Sequence, residues 1–151
     1  MNIVDANVLI YAMNEDARHH DEARTWLDDS LSGAAIVGFA WIAILAFVRL
    51  STKAGLFPSP LPVDGALDRV EAWTSAPAAV IVEPTARHLS LVRGLLDDLG
   101  TGGNLVDDAH LAALSIEHRG SVVSYDHDFG RFPGVTWRPP GRPGGRRSRR
   151  R

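Results

Sequence analysis

The order of apolar and polar positions along the chain predicts strands that alternate with helices. Short apolar runs predict strands over 2–4, 34–39, 79–82, 121–125 and 135–137. Apolar residues at helical spacing predict helices over 8–12, 16–31, 41–51, 63–73, 85–99 and from 104 or 107 to about 120. Strands that alternate with helices form a mostly parallel sheet covered on both faces. The predicted fold is therefore a three-layer α/β/α domain with the first strand at its centre.

Size and composition narrow the class of protein. The 151 residues suffice for one domain, and 45% hydrophobic with 23% charged residues is typical of a soluble globular protein. The absence of cysteine excludes disulfides and thiolate zinc sites and agrees with a reducing compartment. We find no secretory signal pattern, and the longest apolar run, 34–48, is short for a membrane-spanning helix. We therefore expect a cytoplasmic protein without membrane contact.

Charge divides the chain into two parts. Seven of the 16 basic residues are arginines after position 137, so residues 1–137 hold nine basic residues against 18 acidic ones, a formal charge of -9. We predict a folded domain over 1–137 and a disordered tail rich in Arg, Pro and Gly over 138–151. The tail is either a grip for RNA phosphates or a solvated extension. The acidic domain by itself should repel nucleic acid unless metal ions intervene.

Aspartates recur where the predicted strands end. Asp5 follows the first strand, Asp126 and Asp128 follow the fourth, and Asp108 stands at the head of an apolar helix. Each of them has an alternative explanation as a helix cap or turn residue. The carboxyl ends of parallel strands meet at one edge of a sheet, and clustered carboxylates repel one another until a hard divalent cation binds. The pattern therefore favours a magnesium site, which suits phosphodiester chemistry.

Three motifs in order resemble the PIN-domain family, and specifically the VapC-type toxins of bacterial toxin–antitoxin pairs. They are Ile-Val-Asp-Ala-Asn at 3–7, Asn-Leu-Val-Asp-Asp-Ala-His-Leu-Ala-Ala at 104–113 and Ser-Tyr-Asp-His-Asp-Phe-Gly-Arg-Phe-Pro-Gly at 124–134. Together with the helix at 41–52 they span residues 1–137. The resemblance implies a parallel sheet between helices and metal-dependent cleavage of RNA. It also implies a cognate VapB-like antitoxin and a homodimer.

Site residues follow from the resemblance by position. Asp5, Asp108 and Asp126 correspond to the catalytic acids, and Asn7, Ser124 and Asp128 to supporting residues. Asp5 and Asp108 are the first candidates for direct Mg²⁺ ligands, with Asp126 and Asp128 as further candidates and Mn²⁺ as a substitute ion. The bound ion would activate a water for attack on phosphorus, and a carboxylate of Asp126 or Asp5 would accept or steer the water proton.

One position departs from the family pattern. The family usually has a glutamate on the helix after the second strand, where this chain has Ala46 in the run Ala-Phe-Val-Arg. Two functions therefore remain open: a Mg²⁺-dependent endoribonuclease toxin, or a catalytically weak PIN module that binds RNA or antitoxin. A phosphatase that uses Asp5 as nucleophile is disfavoured, because that chemistry usually has a second aspartate where Asn7 stands. The six histidines show no recognised ligand spacing, so we expect surface or hydrogen-bonding roles for them.

Overall fold

The computed structural model of the protein describes residues 1–141, which contain a five-stranded sheet. Its strands are β1 (Asn2–Val4), β2 (Val37–Ala40), β3 (Ala79–Val82), β4 (Ser121–Val123) and β5 (Trp137–Arg138). They lie in the order β3-β2-β1-β4-β5, and every neighbouring pair is parallel. The predicted α/β class and the central place of the first strand are both confirmed.

Helices connect the strands and cover the sheet. They are α1 (Ala6–Met13), α2 (His20–Leu31), α3 (Trp41–Ser51), α4 (Val63–Thr74), α5 (His88–Leu99) and α6 (Leu105–Glu117). A 3-10 turn over His127–Arg131 follows β4. No helix within residues 1–141 has the length and apolarity that a bilayer crossing requires.

Side chains alternate between the two faces of the sheet along each strand, and they form a separate hydrophobic core on each face. Ile3 and Val122 are register partners whose side chains pack with α5 and α6 on one face of the sheet. Val4 and Val123 are the next pair, and they pack with α1 to α4 on the other face. Successive side chains of a strand point to opposite faces, and all four residues are fully buried. The sheet is therefore covered on both sides, as the pattern of elements predicted.

Several predicted boundaries are wrong for local reasons. The helix predicted from Asp16 begins at His20, because the Asn14 side chain accepts the Asp16 N–H and holds a turn there. Thr85 does not cap α5, which begins at His88. The Thr85 hydroxyl instead accepts the N–H of Arg87 and donates to Glu117.

The end of β4 also differs from the prediction. The strand stops at Val123, and the chain turns into the 3-10 segment directly after Asp126. Asp126 and Asp128 therefore do not continue the strand. Arg138, the first residue of the predicted tail, is the last residue of β5 and pairs with Val123. Residues 142–151 of that tail lie outside the described residues.

Candidate active site

Asp5 marks the point where β1 ends and α1 begins. Its backbone is extended, with φ -82° and ψ 157°, and its side chain is the N-cap of α1. The Oδ1 atom accepts the N–H of Ala6 at 2.7 Å. Asp5 is thus a helix cap, one of the alternatives that the sequence left open, and it also stands at the carboxyl edge of the central strand.

Ser124 joins the ends of the two central strands. Its buried hydroxyl donates to Asp5 Oδ2 at 2.7 Å and accepts from Asn7 Nδ2 at 3.0 Å. It also accepts the N–H of Asp126 at 2.9 Å. Asn7 adds a second link, because its Oδ1 accepts the N–H of Tyr125 at 3.1 Å. These bonds fix the Asp5 carboxylate relative to the start of the 3-10 turn, which fits the supporting positions suggested for Asn7 and Ser124.

Three carboxylates form the tightest acidic group. Asp108 lies in the first turn of α6, Asp126 caps the 3-10 turn, and Asp128 lies inside that turn. Each offers one oxygen, and these oxygens all lie within 4.8 Å of one another. Asp126 Oδ1 accepts the N–H of Asp128 at 2.9 Å, so the two acids are held by an Asx-type turn rather than by an extended strand.

A cleft of about 260 Å³ brings this trio together with Asp5. Its lining consists of Asp5, Ala6, Ile42, Ala43, Ala46, Asn104, Asp107, Asp108, Leu111, Asp126 and Asp128. Five of these residues carry carboxylates, and none of the described lining residues is basic. Asp5 lies outside the 4.8 Å trio but lines the same cleft.

Burial and mutual repulsion raise the pKa values of these acids. Burial is the largest cause of the raised pKa of Asp108, which reaches about 7, and repulsion from Asp126 and Asp5 adds to it. Burial also raises the pKa of Asp5, and the charge of Asp126 adds to this, although hydrogen bonds from Ser124 and Ala6 oppose the shift. Clustered oxygens without a cationic partner suit a hard divalent cation, whose charge removes this repulsion. The donor set therefore fits a hard divalent cation.

The part of the cleft lining that α3 contributes is apolar. It is formed by Ile42, Ala43 and Ala46 of α3. By the family resemblance the usual glutamate corresponds to Ala46, which lines the cleft. The departure noted in the sequence therefore falls inside the candidate site.

Two further residues at the start of α6, its N-cap and a first-turn acid, line the cleft, and sequence reasoning gave them no part in the site. Asn104 and Asp107 lie four residues and one residue before Asp108. The sequence feature that could have identified them is helical spacing, since positions 104, 107, 108 and 111 share one helix face. Asp107 is exposed in the first turn of α6 and borders the cleft as well.

A histidine network lies on the other side of α6. Glu117, whose side chain is 1% exposed, accepts from the N–H and hydroxyl of Thr85 and lies 2.9 Å from His88 Nδ1. His88 Nε2 lies 2.7 Å from His110 Nδ1, which joins α5 to α6. The hydrogen-bonding roles expected for histidine are confirmed for these two.

Comparisons with known proteins agree with the motifs and the topology. The PIN domain profile matches residues 3–135. The chain is 59% identical to Ribonuclease VapC37 of Mycobacterium tuberculosis over 93% of this chain and 97% of that protein. It is 37% identical to Ribonuclease VapC33 of the same species, over 93% of this chain and 98% of that protein. The crystal structure of VapBC2 from Rickettsia felis bound to promoter DNA has the same fold. Its TM-score is 0.67 at 17% identity, over 91% of this chain and 97% of that one.

Proposed function

Since the chain belongs to the PIN-domain family, we propose that it is a metal-dependent endoribonuclease and the toxin of a VapBC-type toxin–antitoxin pair. The observation that carries the proposal is the cleft, where five carboxylates from three separate parts of the chain converge at the carboxyl edge of the sheet. The relatives of similar length, among them VapC37 at 59% identity, are named ribonucleases and support the same activity.

Some residues of the cleft would bind the metal ion, and others would accept a proton. Asp108, Asp126 and Asp128 would hold Mg²⁺, with Asp5 contributing from the end of β1. When bound, the ion supplies a positive charge for a phosphate oxygen and lowers the pKa of a water. Asp126 and Asp5 are the candidates for accepting the proton of the attacking water. Ser124 and Asn7 keep the Asp5 carboxylate oriented, so the cleft is organised before RNA arrives.

The antitoxin and the compartment are parts of the same proposal. The structure of VapBC2 from Rickettsia felis is a toxin–antitoxin complex, and we infer a VapB-like partner for this chain by analogy. A cationic side chain of such a partner would suit the acidic cleft and compete with the metal. We also expect a homodimer, and a cytoplasmic location in which RNA is within reach.

A catalytically weak PIN module is the second candidate, and one observation favours it. Ala46 lines the cleft, so one carboxylate of the usual set is missing from the centre of the site. Such a module would still bind RNA or antitoxin but would cleave RNA slowly or not at all. Metal affinity and cleavage therefore have to be measured separately.

The test uses the purified full chain with RNA in Mg²⁺, in Mn²⁺ and in EDTA. Cleavage should require a divalent ion, and Asp108→Asn should lower the rate by more than the roughly 10- to 100-fold that loss of an outer-shell partner costs. Asp64→Asn is the matched control, because Asp64 is an exposed acid in the first turn of α4. Equal rates for Asp108→Asn and the unaltered protein would refute the assignment. Metal binding without cleavage would favour the weak module.

A further inference from the structure

The cleft contains a carboxylate that the trio of Asp108, Asp126 and Asp128 does not include. We propose that Asp107 supplies the negative charge that the Ala46 position lacks, and that it forms part of the divalent-cation site. This inference rests on the proposed function and names a further metal-binding residue for it.

The face of α6 explains how Asp107 reaches the cleft. Asn104, Asp107, Asp108 and Leu111 all line it, and their spacing of three, four and seven residues is that of one helix face. Asp107 and Asp108 are neighbours in sequence, yet both border the same cavity. Both acids therefore place negative charge at the cavity where the ion would bind.

The apolar side chains of α3 show why the charge of Asp107 is needed. Ile42, Ala43 and Ala46 of α3 carry no polar side-chain atom, so the α3 side contributes nothing to cation binding. A carboxylate entering from α3 in other members of the family is replaced here by one that enters from α6. The cleft keeps five acids although Ala46 offers none.

The role of Asp107 differs from that of a direct ligand. It lies outside the group whose oxygens are within 4.8 Å of one another, and it is exposed. Mg²⁺ usually keeps several of its waters, and acids beyond the ligands stabilise it through charge and through hydrogen bonds to those waters. Asp107 is therefore an outer-shell residue whose loss lowers affinity without removing the ion's ligands.

A simpler role for Asp107 is stabilisation of the helix dipole. An acid in the first turn of a helix has this effect whether or not a cleft is near. Asp64 occupies the same kind of position in α4 and does not line the cleft. If the dipole alone explains Asp107, then neutralising Asp107 or Asp64 should change stability by similar amounts, and neither change should alter metal affinity.

The experiment measures Mn²⁺ affinity by electron paramagnetic resonance on the purified full chain without RNA. Asp107→Asn should weaken Mn²⁺ binding by roughly 10-fold, whereas Asp64→Asn should leave it unchanged. Adding Ala46→Glu to Asp107→Asn should restore the affinity, because the carboxylate then enters from the α3 wall. In RNA cleavage, the Mg²⁺ concentration for half-maximal rate should rise by a similar factor in Asp107→Asn.

The outcomes separate this inference from the proposed function. Unchanged Mn²⁺ affinity in Asp107→Asn, together with lost affinity in Asp108→Asn, overturns the role of Asp107 and leaves the nuclease intact. An Ala46→Glu change that fails to restore affinity in the folded double variant also overturns it. A chain that neither binds Mn²⁺ nor cleaves RNA overturns both. Circular dichroism of each variant checks that it is folded.

Discussion

At the scale of single residues, one buried hydroxyl organises the candidate site. Ser124 bonds to Asp5, to Asn7 and to the backbone of Asp126, so three parts of the cleft depend on one oxygen atom. A hydroxyl donates once and accepts twice, and these three bonds use its full capacity. A buried polar group is stabilising only while its partners are present. Ser124 is therefore structural for the site and need not touch the substrate.

We predict that Ser124→Ala destabilises the protein by about 1–3 kcal/mol, because the N–H of Asp126 and the amide of Asn7 lose a buried acceptor. Urea unfolding measures the change. Ser115→Ala is the matched control, since Ser115 is also buried but bonds to a carbonyl of its own helix, Ala112. Equal losses in the two variants would mean that the links of Ser124 contribute no more than an intrahelical bond.

The raised pKa of Asp108 predicts an unusual pH dependence of the stability of the metal-free protein. Its value of about 7 lies above the ordinary 3.8, so between these values the folded state binds more protons than the unfolded state. The free energy of unfolding of the metal-free protein should therefore fall as pH rises from about 4 to 7. Asp108→Asn should raise the melting temperature at pH 8 and change it little near pH 4. The opposite ranking in thermal scans in EDTA would show that Asp108 is not held in a repulsive cluster.

At the scale of elements, α6 is the part of the fold that carries the site. Its first turn presents Asp107 and Asp108, and its last turn holds Glu117, whose carboxylate bonds to Thr85 and lies beside His88. Burial raises the pKa of Glu117, but the hydrogen bonds from Thr85 and the contact with His88 outweigh it and leave the pKa below 4.5. These bonds, together with the contact between His88 and His110, join α6 to α5 and to the segment before α5.

We predict that Glu117→Gln destabilises the protein at pH 7 by about 1.5–3 kcal/mol, the usual value of hydrogen bonds to a charged group. A lowered folded pKa gives stability that is present above pH 4.5 and is lost as pH falls through the folded value. The difference from the unaltered protein should thus shrink in acid. Urea unfolding at pH 7 and pH 3.5 measures both effects, with Glu71→Gln on the exposed side of α4 as the control. A difference that is the same at both pH values would contradict the charged pairing.

At the scale of the whole molecule, the negative charge of the folded domain opposes the binding of RNA. The parallel sheet collects acids at one edge, and residues 1–137 carry a formal charge of -9. A polyanion such as RNA approaches such a surface against repulsion. Divalent ions in the cleft reduce the local negative charge, and the arginines after Gly141 add positive charge to the same molecule. RNA binding by this protein should therefore depend on the divalent ions and on these arginines.

Removal of residues 142–151 should weaken RNA binding and its dependence on salt. The deletion removes six arginines and changes the formal charge from -2 to -8. Each phosphate contact contributes roughly 0.7 to the slope of log affinity against log salt for a single strand, so the slope should fall by up to about 4. Binding to RNA in the Asp108→Asn background avoids cleavage during the measurement. A chain with the six arginines changed to lysine should keep the slope, and an unchanged slope after deletion would exclude the tail from RNA binding.

The sequence by itself determined the class of fold and supplied the candidate acids. Apolar periodicity, the order of strands and helices, and the three motifs depend on residues close together in the chain. Helices α3 and α4 and strands β1 and β3 were accordingly placed within a residue of their observed bounds. The predicted helix starts were wrong where a side chain accepts a backbone N–H, as the side chains of Asn14 and Thr85 do.

Only the tertiary structure decided how those acids are arranged. It showed that Asp128 stands with Asp108 and Asp126 in the closest group, that Asp5 stands beside that group, and that Ala46 and Asp107 line the same cleft. These relations join residues that are distant in sequence, and local pattern carries no information about the distance between them. Packing of α6 against α5 and the early end of β4 set those distances. Repulsion between converged charges, which raises the pKa of Asp108, exists only once the chain has folded.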